Sequence, residues 1–90
     1  MTVYVDQLNR YNGGNRWCHM IADTVDELHA MAERIHMKRE WFQGMPEHFP
    51  HYDLMPRRRH WAINFGAVEL GNRDFVRKMQ ELRDGINKPR

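Results

Sequence analysis

The sequence predicts a small α/β protein, with a mostly parallel sheet of about four strands and about three helices packed on it. Short β-branched and aromatic segments alternate along the chain with segments of helical periodicity, and this order is typical of α/β layers. The length of 90 residues suits one domain. We therefore predict a single domain over residues 1–86, followed by a C-terminal tail at 87–90.

Two strands are predicted near the N-terminus. The run TVYV (2–5) is rich in residues that favour strands, and WCHMIA (17–22) is apolar except for His19. Between them, NRYNGGNR (9–16) combines Asn residues with a Gly-Gly pair, which is typical of a loop or tight turn.

The first helix is predicted to begin after Asp23. Thr24 and Glu27 have the spacing of a capping box, and the acidic first turn suits the positive end of the helix dipole. Helical spacing then places one apolar stripe against the sheet, made of Val25, Leu28, Ala32 and Ile35.

The middle of the chain is predicted to hold a third strand, REWFQ (39–43), and then a loop, GMPEHFPHYDLMP (44–56). The length of this loop indicates a role beyond connection. Pro56 suits the first turn of a second helix, which Gly66 would end in the left-handed conformation.

A last strand, AVEL (67–70), and a last helix complete the predicted fold. Asn72 would cap this helix and Gly85 would end it. Its apolar side consists of Phe75, Val76, Met79 and Leu82. Because a domain of this size conceals limited apolar surface, we expect a leftover strip and therefore a homodimer through the last helix or the last strand. The alternative is a monomer in which the last helix packs on the opposite face of its own sheet.

Composition excludes several classes of protein. No apolar run approaches the roughly 18 residues of a membrane span, and the N-terminus lacks the pattern of a signal peptide. A single cysteine, Cys18, excludes an internal disulfide framework. We expect a cytoplasmic protein with no membrane partner.

The net charge of +2 is unevenly distributed. Residues 1–35 carry three Arg against five acidic residues, and residues 36–90 carry eleven Lys or Arg against seven. A basic C-terminal part could steer an anionic partner, although an ordinary solvated surface has a similar excess. Because no nucleic-acid-binding motif is present, a nucleic-acid-binding module is only the third hypothesis.

Three polar segments are expected to meet at one edge of the sheet. Asp6 and Asp23 each follow a predicted strand, and the loop at 44–56 follows the third strand. Open α/β sheets bind ligands at the carboxyl ends of their strands. The group His51, Tyr52 and Asp53 in this loop is the strongest candidate for function, and His51 and Asp53 are the candidates for catalysis.

The run Arg57, Arg58 and Arg59 occupies the first turn of its helix, where the dipole disfavours cations. Such a cluster can bind an anion, although a solvated face is an equal alternative. Aromatic residues near the same edge could stack on a base. The first hypothesis is therefore a binder of a phosphate-bearing, nucleotide-like small molecule, contacted by Asp6, Trp17, His19, Asp23, Trp41, Gln43, His51, Tyr52, Asp53, Arg57, Arg58 and Arg59.

A metal-dependent phosphoester hydrolase is the alternative hypothesis. His19, His51 and Asp53 are candidate ligands for a divalent metal, with Asp6 and Asp23 as further carboxylates. No standard metal-binding motif is present, and the sequence contains no standard motif that requires a cofactor. A divalent metal is therefore a possible cofactor and not a required one. A histidine beside an aspartate is equally a usable general base without a metal.

Five blocks of the sequence resemble one known family: VYVD (3–6), WCHMIADTVDELHAMAERI (17–35), REWFQ (39–43), HYDL (51–54) and GAVEL (66–70). The family is catalogued as domain of unknown function 4031 and contains small bacterial and phage proteins. The resemblance implies a fold and a site but no reaction. The polar signature that it implies falls on Asp6, Trp17, His19, Asp23, His29, Trp41, Gln43, His51, Tyr52, Asp53 and Arg59.

This chain departs from the pattern expected of the family at two positions. Met55 stands where a Ser or Thr would cap the second helix, and His36 stands where a Gly would end the first. An uncapped helix start leaves amide donors for another partner.

Overall fold

The computed structural model describes residues 2–10 and 16–87. The helices are α1 (Val25–Arg34), α2 (Pro56–Asn64) and α3 (Asn72–Asn87), with a short 3-10 helix at Arg39–Trp41. The strands are β1 (Val3–Val5), β2 (Asn9–Arg10), β3 (Arg16–Ala22), β4 (Tyr52–Leu54) and β5 (Val68–Glu69).

The sheet is mixed, so the α/β class is confirmed and the mostly parallel arrangement is wrong. Strand β3 pairs antiparallel with β1, with β4 and, at its beginning, with the two-residue β2. Only β1 and β5 pair in parallel among the described strands. The physical reason is the short connection from β1 to β3, because parallel neighbours need a crossover of about a dozen residues or more.

The predicted third strand is also wrong. Within residues 39–43 the chain forms the 3-10 helix, and Gln43 alone makes an isolated bridge, to His51. The strand that this part of the chain contributes to the sheet is β4, which lies inside the predicted loop at 44–56. Its alternation of buried Tyr52, half-buried Asp53 and buried Leu54 has the period of a strand, but three residues are too few to separate from a loop by pattern.

The local signals at the helix ends are confirmed, with one exception. The Thr24 hydroxyl oxygen accepts a hydrogen bond from the Glu27 amide at 3.1 Å, and Pro56 begins α2 without a side-chain cap from Met55. Gly66 has a positive φ of 107° after α2. The exception is α3, which includes the predicted cap Asn72 as its first helical residue and continues through Gly85 to Asn87. Residues 88–90 of the predicted tail lie outside the described residues.

His36 adopts a φ of 62° immediately after α1. This left-handed conformation is costly for a residue with a side chain, which explains why a glycine was expected there. The difference from the expected pattern is therefore one of residue type and not of backbone geometry.

Helices cover both faces of the sheet. One apolar cluster joins alternate residues of β1, β3 and β4 to α1 and α2 and includes Met20, Leu28, Ile35 and Leu54, which are fully buried. A smaller cluster on the other face joins Tyr4, Ile21, Phe49 and Phe75, with Met79 and Leu82 of α3 packed against it. Of the described helices, none is both long and apolar enough to cross a membrane.

Candidate functional site

Four ionisable side chains meet at one end of the sheet, and we call Asp6, His19, His51 and Asp53 the His–Asp cluster. Asp6 follows β1, His19 lies in the middle of β3, and Asp53 lies in β4 directly opposite His19 in the antiparallel register. His51 immediately precedes β4 and bridges Gln43. Three segments distant in sequence therefore supply one cluster.

Asp6 holds His19 through both carboxylate oxygens. Its Oδ1 accepts a hydrogen bond from the His19 backbone amide at 2.6 Å, and its Oδ2 lies 2.8 Å from His19 Nδ1. Since a carboxylate can only accept, Nδ1 carries the proton. The other ring nitrogen, Nε2, lies 3.9 Å from Asp53 Oδ1. Asp6 is only 5% exposed, so this support is shielded from water.

His51 and Asp53 form the second pair of the cluster. His51 Nδ1 donates a hydrogen bond to the Phe49 carbonyl at 2.7 Å, and its Nε2 lies 3.5 Å from Asp53 Oδ1. Gln43 Nε2 donates to the other oxygen of Asp53 at 2.7 Å. The two imidazoles thus direct Nε2 towards the same carboxylate oxygen.

These contacts shift the ionisation of the cluster. The hydrogen bond to Asp6 is the largest influence on His19 and raises its pKa, against the opposing effect of burial. Burial lowers the pKa of His51, but the interactions with Asp53 and the Phe49 carbonyl outweigh it and raise the pKa. The interaction with His51 is the main cause of the lowered pKa of Asp53, with Gln43 adding to it.

All four members of the His–Asp cluster line one cavity of about 630 Å³. This volume is in the range of sites for small molecules. The floor belongs to the sheet, and the side walls belong to the segment before β4 and to α3. The residues that line the cavity are Asp6, Asn9, His19, Ile21, Gln43, Glu47, His48, Phe49, His51, Asp53, Asn72, Phe75, Val76, Met79 and Arg83.

A second cavity, of about 430 Å³, shares Gln43 and Asp53 with the first. Its other lining residues are Trp17, Met37, Trp41, Met55 and Arg58. The first cavity is rich in ionisable groups and the second in aromatic and thioether side chains.

A family model described as "Protein of unknown function (DUF4031)" matches residues 3–82. The chain belongs to this family. The matched range contains every member of the His–Asp cluster and all of the residues that line the second cavity. No curated protein and no solved structure matches the chain.

The structure gathers part of the polar signature that the resemblance to DUF4031 implied. Asp6, His19, His51 and Asp53 lie together, and Gln43 joins them through its bond to Asp53. Trp17 and Trp41 line the second cavity instead. The rest of the signature lies elsewhere.

Asp23 lies at the opposite end of the sheet from Asp6, because β1 and β3 run antiparallel. Its carboxylate accepts hydrogen bonds from the Thr2 amide at 3.1 Å and the Tyr4 hydroxyl at 2.8 Å. Tyr52 is fully buried on the other face of the sheet, where its hydroxyl is 2.8 Å from His29 Nδ1. Neither residue lines the cavity of the His–Asp cluster.

The three arginines of α2 point to different partners. Arg59 Nε donates to the Asp6 carbonyl at 2.9 Å and its Nη2 pairs with Glu69 at 3.1 Å. Arg58 donates to the Ile35 carbonyl at 3.3 Å, and the Arg57 guanidinium lies 5.9 Å from the centre of the Trp61 ring. They therefore do not form one anion cluster, and Arg59 instead steadies the backbone of Asp6.

Two further sequence hypotheses bear on reactivity. Within residues 2–10 and 16–87, no group of three or more His, Cys, Asp or Glu is arranged to hold a metal ion. Burial raises the pKa of the Cys18 thiol to about 12, with the Asp6 charge adding to the effect. The thiol of Cys18 is therefore a poor nucleophile, since the thiolate is the reactive form.

Sequence reasoning did not single out Glu47 or Arg83 as site residues, although both line the first cavity. Glu47 sits in a loop of mixed composition, and Arg83 follows Val76 and Met79 at helical spacing on α3. No local pattern marks either as a site residue, because tertiary packing alone brings the loop and α3 to the same cavity. The nearest signal was the loop at 44–56, which was predicted to carry function and does supply a wall of the cavity.

Proposed function

We propose that this protein acts on a small polar molecule by acid–base catalysis in the 630 Å³ cavity, with His19 and His51 as the proton-transferring groups. The observation that carries the proposal is the pair of hydrogen bonds from His19 to the buried Asp6, which orients Nε2 into a cavity of ligand size.

The arrangement of Asp6 and His19 is that of an oriented general base. A buried carboxylate bonded to Nδ1 selects the tautomer whose Nε2 can accept a proton, and it stabilises the imidazolium that results. Asp6 is a positioning residue in this proposal. Its own backbone is restrained by the bond from Arg59 to its carbonyl oxygen and by the Asp6 amide, which donates to the His19 carbonyl at 3.2 Å.

His51 supplies the complementary acid. Its raised pKa favours the imidazolium, and the charge of His19 opposes this because two cations would face each other. When the pair holds one proton, the charge on a protonated His19 disfavours a second proton on His51. One imidazole is then an acid while the other is a base, which general acid–base catalysis requires near neutral pH.

The balance of charge around the cavity bears on the substrate. Asp6, Asp53 and Glu47 oppose a bare phosphate, while Arg83 and a protonated histidine favour one. The arginine run of α2, on which the hypothesis of a phosphate-bearing ligand partly rested, does not line this cavity. We therefore propose a substrate that offers hydrogen-bond donors to the carboxylates, and we keep phosphoesters in the panel that tests it.

The experiment is a panel of chromogenic phosphomonoesters, phosphodiesters, carboxylic esters and amides, assayed with the wild-type chain and with His19→Gln. Where a substrate is turned over, we expect His19→Gln to lower kcat about 10²- to 10⁴-fold, the usual contribution of a positioned proton-transfer group. The matched control is His60→Gln, which changes an exposed histidine on α2 and should leave kcat unchanged.

Asp6→Asn separates positioning from direct catalysis. We expect a lower kcat with little change in KM, because the amide can donate to Nδ1 and so stabilise the wrong tautomer. Full activity of His19→Gln on a substrate that the wild type turns over would refute the proposal. So would a panel without turnover in which no compound shifts the melting temperature.

A metal-dependent phosphoester hydrolase is the second candidate. The observation that favours it is that both imidazoles use Nδ1 on an acceptor, as ligating histidines do, and direct Nε2 towards Asp53. It ranks second because no group of three suitable side chains among the described residues is arranged around a common point. Metal analysis of the purified chain decides: a stoichiometric divalent metal that His51→Ala removes would place this candidate first.

A further inference from the structure

The second cavity adjoins the first without being part of the acid–base machinery. Gln43 and Asp53 line both, so a molecule of moderate size can extend from one into the other. We infer that the second cavity is a subsite for a planar heteroaromatic ring, of the nucleobase type, carried by the substrate. The inference rests on the proposed function, because it assigns the part of the substrate that does not react.

The lining of the second cavity suits a flat, polarisable ring. Trp17 is half-buried and Trp41 is 40% exposed, so both indoles present surface that a ligand could cover. Met37 and Met55 add thioether groups, which adapt their shape and make favourable contacts with aromatic rings. At about 430 Å³ the cavity is large enough for one ring with its substituents and lies within the range of small-molecule sites.

Trp41 is held before any ligand arrives. The Arg58 guanidinium lies 5.4 Å from the centre of its ring, and the Lys38 ammonium lies 5.5 Å from it. Arg58 is itself anchored to the Ile35 carbonyl at 3.3 Å. A side chain fixed in this way loses little freedom on binding, and the planar guanidinium can itself stack on a π system.

Polar groups at the shared wall favour a heteroaromatic ring over a hydrocarbon ring. Asp53 is an acceptor, and Gln43 holds it through its amide nitrogen, so the wall offers oxygen atoms to N–H groups at the edge of a ring. A ring without such donors would shield these oxygen atoms from water without bonding to them, which is costly. A ring with amino or N–H groups can bond to them.

The test is isothermal calorimetry on the full 90-residue chain with adenosine, cytidine and D-ribose as probes. We expect both nucleosides to bind and ribose, which lacks the ring, to give no heat at the same concentrations. Trp41→Ala should weaken nucleoside binding about 5- to 150-fold, the usual effect of removing an aromatic stacking partner. Trp41→Phe, which keeps a ring, should retain most of the affinity.

Phe65→Ala is the matched control, because Phe65 is an aromatic residue of similar exposure that lies outside the second cavity. It should bind the nucleosides like the wild type. Circular dichroism of each variant establishes that it is folded. Equal binding of ribose and nucleosides, an absence of nucleoside binding, or unchanged affinity in folded Trp41→Ala would each overturn the subsite.

The failure of the subsite can be told apart from the failure of the catalytic proposal. If turnover of a panel substrate depends on His19 while nucleosides give no heat, or bind folded Trp41→Ala as tightly as the wild type, the acid–base centre stands and the subsite is wrong. If nucleosides bind through Trp41 while no substrate shows dependence on His19, the subsite stands as a binding site and the catalytic proposal is wrong.

Discussion

The two faces of the paired strands β3 and β4 differ in chemistry, although residues of the two faces alternate along the same short segments, 18–20 and 52–54. On one face, Met20 and Leu54 are fully buried beneath α1 and α2. On the other face, their neighbours His19 and Asp53 lie half-buried in the 630 Å³ cavity beside α3.

The comparison teaches that the apolar face determines the geometry of the polar face. A slip of one residue between β3 and β4 would carry the buried side chains to the cavity and the ionisable ones into the core. Burial of Met20 and Leu54 therefore keeps His19 opposite Asp53. The apolar face contributes stability, and the polar face contributes the shifted pKa values on which the proposed chemistry depends.

The largest expected effect on stability comes from the apolar face. Leu54→Ala should lower the free energy of unfolding by about 2–5 kcal/mol, because it leaves a cavity in a fully buried site. Urea unfolding followed by circular dichroism measures it. Its neighbour supplies the contrast: Asp53→Asn should cost clearly less stability. Equal losses in the two variants would contradict the division of roles between the faces.

A smaller loss of stability is expected when Asp6, which holds His19 in place, is replaced. Asp6→Ala should cost about 1–3 kcal/mol, since it leaves the His19 amide and Nδ1 without their acceptor in a shielded site. Asp23→Ala is the control at the other end of the sheet, where the carboxylate is exposed to solvent and should matter less. The same urea experiment compares them, and a larger loss for Asp23→Ala would show that the two ends had been ranked incorrectly.

A pH dependence sharpens the same comparison. The Asp6 hydrogen bond raises the pKa of His19 in the folded state, so the native protein binds the proton more tightly than the unfolded chain. The stabilisation is fully present below the unfolded pKa of about 6.5 and is lost as pH rises through the raised folded value. His19→Gln should therefore cost more stability at about pH 5.5 than at about pH 8.5. A difference that grows with pH would have the wrong sign.

The smallest effect on stability is expected at α3, which bears on the proposed homodimer. Val76 is 45% exposed, whereas Phe75 is buried and Met79 packs against the sheet. In the monomer, measured below the concentration at which the dimer forms, Val76→Glu should change the free energy of unfolding by less than about 0.5 kcal/mol, as surface substitutions usually do. We expect light scattering to give the mass of two chains for the wild type and of one for Val76→Glu. The mass of one chain for the wild type would exclude the dimer.

The sequence predicted the boundaries of α1 and α2 and two of the strands well because their signals are local. Thr24 caps the helix that follows it, and Pro56 begins the next helix. The apolar runs that form β1 and β3 were also recognised as strands. The error at residues 39–43 arose because the pattern of a short aromatic segment fits a strand and a 3-10 helix equally well.

Of the site, the sequence supplied the members but not their grouping. His19, His51, Asp53 and Asp6 were all candidates, and the structure brings them together. Asp23 was grouped with them because a mostly parallel sheet was expected, and the arginines of α2 because they begin the helix that follows the loop at 44–56. Because β1 and β3 are antiparallel, their carboxyl ends lie at opposite ends of the sheet. Asp23, which follows β3, therefore lies at the opposite end from Asp6, which follows β1.

The sequence by itself determined the family, the α/β class, the caps and the alternation that separates His19 from Cys18 and Met20, since each depends on residues close together in the chain. The tertiary structure alone decided that β3 pairs with β1 and β4 in antiparallel register, that α3 closes the cavity, and that Asp6 reaches His19. These contacts join residues 13 or more positions apart. They are set by which surfaces bury each other best, and the burial of one surface depends on all the others at once.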